Sequence, residues 1–214
     1  MPRIAPFEEY PTRYDEWFEK HKYAYLSELN AIKLLLPRFK RGLEIGVGTG
    51  RFAIPLGIKF GVEPSKRMRE IAAQRGVNVV DGVGENLPFK DGSFDLVLMV
   101  TTICYLDDPL KALKESYRVL KSKGAVIIGF IDRESLLGRI YMEEKDTNPF
   151  YRDASFYTVR EVVEMLYEAG FRSLDFTQTI FRRLDEISGE EPVKYGFGEG
   201  SFIAVRAFKL GSMY

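Results

Sequence analysis

The chain has 214 residues, 45% of them hydrophobic and 14% aromatic, which is enough to bury a core and fits one large domain better than two small ones. Its 31 basic and 31 acidic residues cancel, so the charge argues against nucleic acid or an anionic membrane surface as a partner. Cys104 is the only cysteine and His21 the only histidine, which excludes an intrachain disulfide and a metal cluster built from Cys and His.

Two further global features concern location and environment. The first ten residues lack a basic segment followed by an apolar run, and no stretch approaches the roughly 20 apolar residues of a membrane span. We therefore expect a cytoplasmic protein. Four Asn and two Gln beside 29% charged residues form a composition typical of proteins from hot environments.

The segment before residue 38 is predicted to be an N-terminal addition. Residues 1–10 are expected to be irregular because prolines interrupt them, and the chain from Pro11 to Pro37 is expected to be helical. Its first half carries an aromatic cluster consisting of Tyr10, Tyr14, Trp17, Phe18, Tyr23 and Tyr25. Amphipathic rings serve equally in an arm packed on the domain surface and in a lid over a ligand, so both interpretations stay open.

Short apolar strands alternate with helices along the next hundred residues. Strands are predicted at 43–45, 58–62, 77–80, 94–100 and 125–131, and helices at 51–56, 65–75 and 108–120. The apolar run FDLVLMV at 94–100 is typical of a parallel strand that is covered on both faces. This rhythm predicts an α/β fold with a doubly wound sheet, in which ligands bind beyond the carboxyl ends of the strands.

The pattern loosens after residue 131. A helix is predicted at 135–145, a loop at 146–157, and a second helix at 158–170 that begins with a capping box at Thr158 and Glu161. Further strands are predicted at 174–181 and 202–208. The connection at 182–200 is longer than most structureless connections, so it is either a hairpin excursion or a functional loop.

The sequence GLEIGVGTGR at 42–51 combines a strand, an acid and three glycines, Gly46, Gly48 and Gly50. Glycines let the backbone approach a ligand closely and present its N–H groups at a helix start. A dinucleotide fingerprint would place its third glycine at Arg51, which weakens an NAD-dependent function. Glu63 ends the second strand, 19 residues after Glu44, where a carboxylate can accept hydrogen bonds from both ribose hydroxyls.

Five linked motifs resemble those of the class I S-adenosylmethionine-dependent methyltransferases, especially the branch with the ubiquinone and menaquinone biosynthesis methylases. They are E-x-G-x-G-x-G at 44–50, GVEPS at 61–65 with Met68, GENLPF at 84–89, SFDLVLMV at 93–100 and LKSKGAVIIGF at 120–130. The resemblance implies a seven-stranded, mostly parallel sheet with an antiparallel last strand. It also implies one domain over 1–214, with an arm or lid at 1–37, a cofactor-binding core at 38–131 and an acceptor-side half at 132–214.

The resemblance implies S-adenosylmethionine as cofactor and assigns roles by position. Glu44 and the turn from Gly46 to Gly50 would border the methionine moiety, and Glu63 would hold the ribose. Adenine would lie beside Pro64, Ser65 and the segment Val83, Gly84 and Glu85. Val100 and Thr101 would lie beneath the sulfonium.

The chain departs from the family pattern in two places. Val83 and Gly84 stand where relatives have an acid followed by Ala, so adenine would be held by backbone or by Glu85, because Asp81 comes two residues early. Thr101, Thr102, Cys104 and Tyr105 follow the fourth strand where relatives often have His, so no catalytic base is assigned. His21, amid charged residues, is expected to be a solvated surface residue.

These patterns predict an enzyme that transfers a methyl group to a small, partly apolar acceptor, with an amine as one candidate. The expected acceptor contacts are Tyr14, Trp17, Tyr105 and Tyr195, for which surface packing is the alternative role. Asp132, Glu190 and Glu191 are candidates for pairing with a cationic acceptor. A non-catalytic S-adenosylmethionine-binding sensor or scaffold is the alternative function, motivated by the missing adenine acid and histidine.

Overall fold

The computed structural model describes residues 3–211, through which one eight-stranded sheet runs. The strands are β1 (Gly42–Ile45), β2 (Phe60–Val62), β3 (Asn78–Val80), β4 (Phe94–Val100), β5 (Leu120–Ile131), β6 (Phe171–Thr179), β7 (Lys194–Tyr195) and β8 (Phe202–Lys209). The helices are α1 (Ala5–Glu9), α2 (Pro11–Lys20), α3 (Lys22–Leu35), α4 (Lys66–Gln74), α5 (Pro109–Val119), α6 (Leu136–Glu143), α7 (Pro149–Arg152) and α8 (Val159–Glu168). No helix of residues 3–211 is both long and apolar enough to cross a membrane.

The strand order is β3-β2-β1-β4-β5-β8-β6-β7, and β1 to β5 pair in parallel. The last strand, β8, lies between β5 and β6 and is antiparallel to both. The predicted α/β fold class is therefore confirmed. The difference from seven strands is the two-residue β7, which pairs with β6 at the sheet edge and lies within the long connection at 182–200.

The core lies on both faces of the sheet because alternate residues of each strand point in opposite directions. Along β4, Leu96 and Leu98 pack into the layer that contains α3, whereas Val97 and Met99 pack into the layer that contains α5 and α8. All four side chains are fully buried. The continuous apolar run at 94–100 is explained by this two-sided burial.

The N-terminal region differs from the sequence prediction in two ways. Residues 5–9 form α1 because Pro6 lies in its first turn, where a missing N–H removes no helical hydrogen bond. Pro11 likewise opens α2. The single helix expected from Pro11 to Pro37 is two helices, α2 and α3, that meet at His21, whose φ of −110° and ψ of 43° are not helical.

Other predicted boundaries need smaller corrections. Residues 51–57 form turns instead of the expected helix, and β2 accordingly starts two residues later than expected. The predicted loop at 146–157 contains α7, which Asn148 caps with its side chain. β6 begins and ends earlier than predicted, and Ile180, with a φ of +63°, leaves the strand direction immediately after it. β5 begins at Leu120, five residues before the expected position.

Candidate active site

The turn from Gly46 to Gly50 follows β1, and its three glycines have φ values of +66°, +54° and +84°. These are left-handed conformations that side-chain-bearing residues rarely adopt. A Cβ atom at Gly46 would lie 2.4 Å from Thr102 Cγ2, and one at Gly48 would lie 3.2 Å from the Tyr14 hydroxyl oxygen. We call residues 46–50 the glycine turn. It is closely covered by the end of β4 and by α2.

Glu63 links the glycine turn to the start of α4. It follows β2, is only 6% exposed, and accepts hydrogen bonds from Gly48 N on Oε2 and from Ser65 N on Oε1, each at 2.9 Å. Burial raises the pKa of Glu63 to about 7, although both backbone hydrogen bonds favour the ionised form. Each oxygen keeps a lone pair for another donor, and the residue borders a large cavity.

Glu44 and Ser65 lie just outside this cavity. Glu44 is 2% exposed, its Oε2 has no hydrogen-bond partner among the described residues, and burial raises its pKa well above the usual value. Ser65 caps α4 by accepting a hydrogen bond from Met68 N at 3.2 Å. Ser65 therefore supports the backbone at the start of α4, and Glu44 accepts a hydrogen bond from the Ala53 backbone.

The cavity has a volume of about 1060 Å³ and extends along the carboxyl ends of the parallel strands. Predicted cofactor residues on its wall are Gly46, Glu63, Pro64, Val83, Gly84, Glu85, Val100 and Thr101. Glu85 Oε1 accepts hydrogen bonds from Asp107 N and Asp108 N, so this acid also holds the loop before α5. Asp81 forms an ion pair with Arg69 at 2.9 Å and is mostly exposed.

The remainder of the cavity is lined by rings from several elements, which we call the aromatic wall. Its members are Phe7, Tyr14, Trp17, Phe18, Tyr105, Tyr141, Phe150, Tyr151 and Phe156. Phe7 contacts Tyr14 and Tyr105 edge-on, with ring centroids 5.6 and 4.9 Å away, and Tyr105 donates a hydrogen bond to Phe150 O at 2.8 Å. Three of the four residues predicted to contact the acceptor molecule therefore lie on one wall. They are Tyr14, Trp17 and Tyr105.

Tyr195 is the fourth residue predicted to contact the acceptor molecule, and it does not border the cavity. It lies on β7 and is 72% exposed. The carboxylates suggested for a cationic acceptor are also engaged elsewhere. Asn30 donates to Glu190 at 2.7 Å, Phe181 N donates to Glu191 at 3.0 Å, and Glu134 N donates to Asp132 at 3.2 Å.

His21 and Cys104 also border the cavity. His21 is half-buried, with its ring 5.2 Å from that of Trp17, so it is less exposed than the solvated surface residue that the sequence predicts. Burial lowers its pKa, and neighbouring Lys20 adds to this effect. Burial raises the pKa of the Cys104 thiol to about 12, so it is protonated at neutral pH and is a poor nucleophile.

Asp15 fastens α2 to the glycine turn. Its carboxylate accepts hydrogen bonds from the Thr49 hydroxyl at 2.7 Å, from Arg51 Nε at 3.0 Å and from Arg75 at 2.7 and 2.8 Å. Burial acts to raise the pKa of Asp15, but these donors outweigh it and hold the pKa well below its usual range. Helix α2 is thus held over the cavity by charge-assisted hydrogen bonds.

Sequence reasoning missed Glu28 and the late tyrosines Tyr141 and Tyr151 on the cavity wall. Glu28 had a recognisable signal, since it lies four residues from both Ala24 and Ile32 and so shares their buried helix face. The two tyrosines come from α6 and α7, and nothing local in the sequence indicates which way those helices face.

Comparisons with known proteins agree with this geometry. The methyltransferase domain family matches residues 43–128. A Thermotoga maritima crystal structure, described as a SAM-dependent methyltransferase and possible histamine N-methyltransferase, is 54% identical with a TM-score of 0.94, and the match covers 96% of this chain and 99% of that one. The chain belongs to the S-adenosylmethionine-dependent methyltransferases, and S-adenosylmethionine is its cofactor.

Two relatives are similar to the chain in sequence over most of its length. An uncharacterized protein of Methanocaldococcus jannaschii is 48% identical over 95% of this chain and 98% of its own length. The demethylmenaquinone methyltransferase of a Geobacillus species is 29% identical over 80% of this chain and 75% of its own length. The resemblance to quinone methylases that the motifs indicated is confirmed.

Proposed function

We propose that the cavity binds S-adenosylmethionine at its glycine-turn end and transfers the methyl group to a small amine held by the aromatic wall. The observation that carries this proposal is the continuity of the cavity, in which Glu63 and the aromatic wall border one space of about 1060 Å³. A space of this size accommodates a nucleoside cofactor together with a small second molecule.

The residues at the glycine-turn end suit the cofactor's polar groups. Glu63 presents two buried acceptor oxygens, which match the two donor hydroxyls of a ribose. Gly82, Val83 and Gly84 border the cavity with little side-chain bulk, so a planar base can lie against their backbone. Pro64 offers an apolar surface beside it.

Transfer requires little chemistry from the protein itself. The cofactor supplies an electrophilic methyl group on a sulfonium. The lone pair of a neutral acceptor nitrogen forms the new N–C bond in line as the C–S bond breaks and S-adenosylhomocysteine leaves, so an acceptor that binds as a cation first loses a proton to solvent. The aromatic wall orients the acceptor and excludes water, and such positioning contributes roughly 7–11 kcal/mol in well-oriented reactions. Thr101 and Thr102, at the end of β4, border the cavity where the two molecules would meet.

An amine acceptor is supported by two observations. The walls combine aromatic rings with carboxylates, which together favour a cation with an apolar body. The 54% identical Thermotoga maritima protein is described as a possible histamine N-methyltransferase, and histamine is an amine. A non-catalytic sensor stays the alternative, and release of S-adenosylhomocysteine that requires an added acceptor would refute it.

Calorimetric titration with S-adenosylhomocysteine tests the cofactor part of the proposal. We expect micromolar binding that Glu63→Ala abolishes, while Glu164→Ala on the exposed face of α8 leaves it unchanged. Since the ribose hydroxyls favour an ionised carboxylate and the pKa of Glu63 is about 7, affinity should rise about tenfold from pH 6 to pH 8. An absence of binding at millimolar ligand would contradict the proposal.

A further inference from the structure

Glu28 is a buried acid that no group of residues 3–211 neutralises. It lies in the middle of α3, is 5% exposed and borders the cavity. Among residues 3–211 its carboxylate has neither a hydrogen bond nor an ion pair. Burial alone raises the pKa of Glu28 to about 8. A buried, unpaired carboxylate destabilises a fold, so its position on a cavity wall calls for a ligand.

The other acids buried in this part of the fold either accept hydrogen bonds from the backbone or lie outside the cavity. Glu63 accepts two backbone hydrogen bonds, and Glu191 accepts one from Phe181 N and lies 3.5 Å from Arg182. Glu44 has one unpaired oxygen but lies behind the glycine turn, outside the residues that border the cavity. Among these acids, Glu28 alone combines burial, an unpartnered carboxylate and access to the cavity.

Tyrosines from three elements border the same cavity as Glu28. Burial is the main cause that raises the pKa of Tyr14, Tyr141 and Tyr151, and the negative charge of Glu28 adds to each, so the carboxylate is within electrostatic reach of all three. Tyr141 and Tyr151 stack with their ring centroids 4.3 Å apart. A carboxylate beside aromatic faces is an arrangement that attracts an organic cation.

Helix α3, which carries Glu28, packs against different strands of the sheet from the one that precedes the glycine turn. Helix α3 packs against β6 and β8, and the Thr177 hydroxyl of β6 donates to Ala31 O at 2.9 Å. The glycine turn follows β1, and β4 and β5 separate β1 from β8. Strands about 4.8 Å apart put roughly 14 Å between β1 and β8. The first half of α3 reaches back toward the glycine turn, since the Tyr25 hydroxyl donates to Arg51 O at 2.5 Å. Glu28 therefore borders the cavity between the glycine-turn end and the acceptor's part.

We propose that Glu28 is the counter-ion for the cationic nitrogen of the acceptor, and that Tyr141 and Tyr151 pack against the acceptor's apolar body. This inference rests on the proposed function of the cavity as an acceptor site. The acceptor class is then a small ammonium or imidazolium compound with an aromatic or aliphatic group one or two carbons away. A neutral molecule of the same shape leaves the carboxylate unpaired and binds more weakly.

The test uses the full chain saturated with S-adenosylhomocysteine and probes matched in shape. Benzylamine, phenethylamine and histamine are each titrated beside the alcohol with the same carbon skeleton. We expect at least one amine to bind about tenfold or more tightly than its alcohol, since charged hydrogen-bond partners in buried sites discriminate by at least that factor. Glu28→Gln should remove the preference, and Glu28→Asp should retain part of it.

Two controls separate this inference from the proposed function and from misfolding. Glu143→Gln neutralises an exposed acid of α6 and should keep the preference for amines. Glu28→Gln should bind S-adenosylhomocysteine as the wild type does and melt at the same or a higher temperature, because it replaces a buried acid without a partner by a neutral amide of the same shape. Failure of wild-type S-adenosylhomocysteine binding refutes the proposed function instead.

Three results would overturn the role of Glu28. The first is an absence of any preference for amines over alcohols in the wild type. The second is a preference that survives in Glu28→Gln. The third is a loss of S-adenosylhomocysteine affinity in Glu28→Gln as large as that in Glu63→Ala, which would make Glu28 a partner of the cofactor's own ammonium group.

Discussion

The two ends of the cavity are built by different means. The glycine-turn end consists of backbone in left-handed conformations and of Glu63, whose two oxygens are held by N–H groups from two turns. The aromatic wall consists of side chains from α1, α2, α6, α7 and the segments that carry Tyr105 and Phe156. Glu28 of α3 lies beside it and has no partner among residues 3–211. Backbone geometry thus defines one end, whereas side-chain identity defines the other.

This difference indicates which end of the cavity can change its ligand specificity. A site made from backbone and one satisfied acid accepts few substitutions, because each change strains the chain or removes a hydrogen bond. A wall of rings from separate helices can change its shape one residue at a time. We therefore expect the cofactor end to be intolerant of mutation and the aromatic wall to determine which acceptor binds.

The largest effect is expected for Gly46→Ala. The new Cβ would need a φ of +66° and would lie 2.4 Å from Thr102 Cγ2, so the end of β4 must move. We expect a loss of about 2–4 kcal/mol in the free energy of unfolding and no measurable S-adenosylhomocysteine binding. Urea unfolding and calorimetry measure the two quantities.

Gly57→Ala is the matched control for that variant. Gly57 has a similar φ of +71°, but a Cβ added there would meet no other atom within 4 Å, so only the backbone strain is tested. We expect a loss of about 1 kcal/mol and unchanged S-adenosylhomocysteine affinity. Equal binding by both variants would show that close packing of the glycine turn does not matter for the cofactor.

An intermediate effect is expected for Asp15→Asn, because Asp15 fastens α2, which carries part of the aromatic wall, to the glycine turn. The hydrogen bonds from Arg75, Arg51 and Thr49 lower the pKa of Asp15 in the folded chain, so its contribution is present above the unfolded pKa and is lost as the pH falls through the folded value. At pH 7 we expect a loss of about 2 kcal/mol in the free energy of unfolding. The difference from wild type should stay constant down to about pH 4, the ordinary pKa of an aspartate, and shrink progressively below it.

Glu19→Gln provides the comparison for Asp15→Asn. Glu19 pairs with the same Arg51 at 2.7 Å, but its side chain is 69% exposed, so we expect a change below about 0.5 kcal/mol. Amide hydrogen exchange should also accelerate in α2 of Asp15→Asn while β4 stays protected. Equal destabilisation by the two variants would contradict a fastening role for Asp15.

The same contrast explains which parts of the molecule could be predicted from the sequence. The strands around the glycine turn, the Ser65 and Asp108 helix caps and the position of Glu63 follow from patterns within a few residues of each other. The break at His21 has no proline or glycine to mark it, whereas α7 has a local signal in the Asn148 cap followed by Pro149 that the predicted loop overlooked. Glu28 could be recognised as an acid on an apolar helix face, but its lack of a partner is a property of the assembled cavity.

The smallest effect is expected for Tyr195→Ala. The sequence predicts that Tyr195 contacts the acceptor, yet the residue is 72% exposed on β7 and lies outside the cavity wall. We expect less than about 0.5 kcal/mol change in stability, and the same S-adenosylhomocysteine release with the most active amine of the probe set.

Tyr14→Ala gives the opposite expectation, because the Tyr14 ring packs against Phe7 and Phe18 and covers Gly48. It should lower both stability and turnover, since it opens the aromatic wall next to the glycine turn. If Tyr195→Ala instead reduced turnover without changing stability, Tyr195 would have to move toward the cavity during the reaction, along the connection whose residues Arg183, Leu184 and Asp185 already line the cavity.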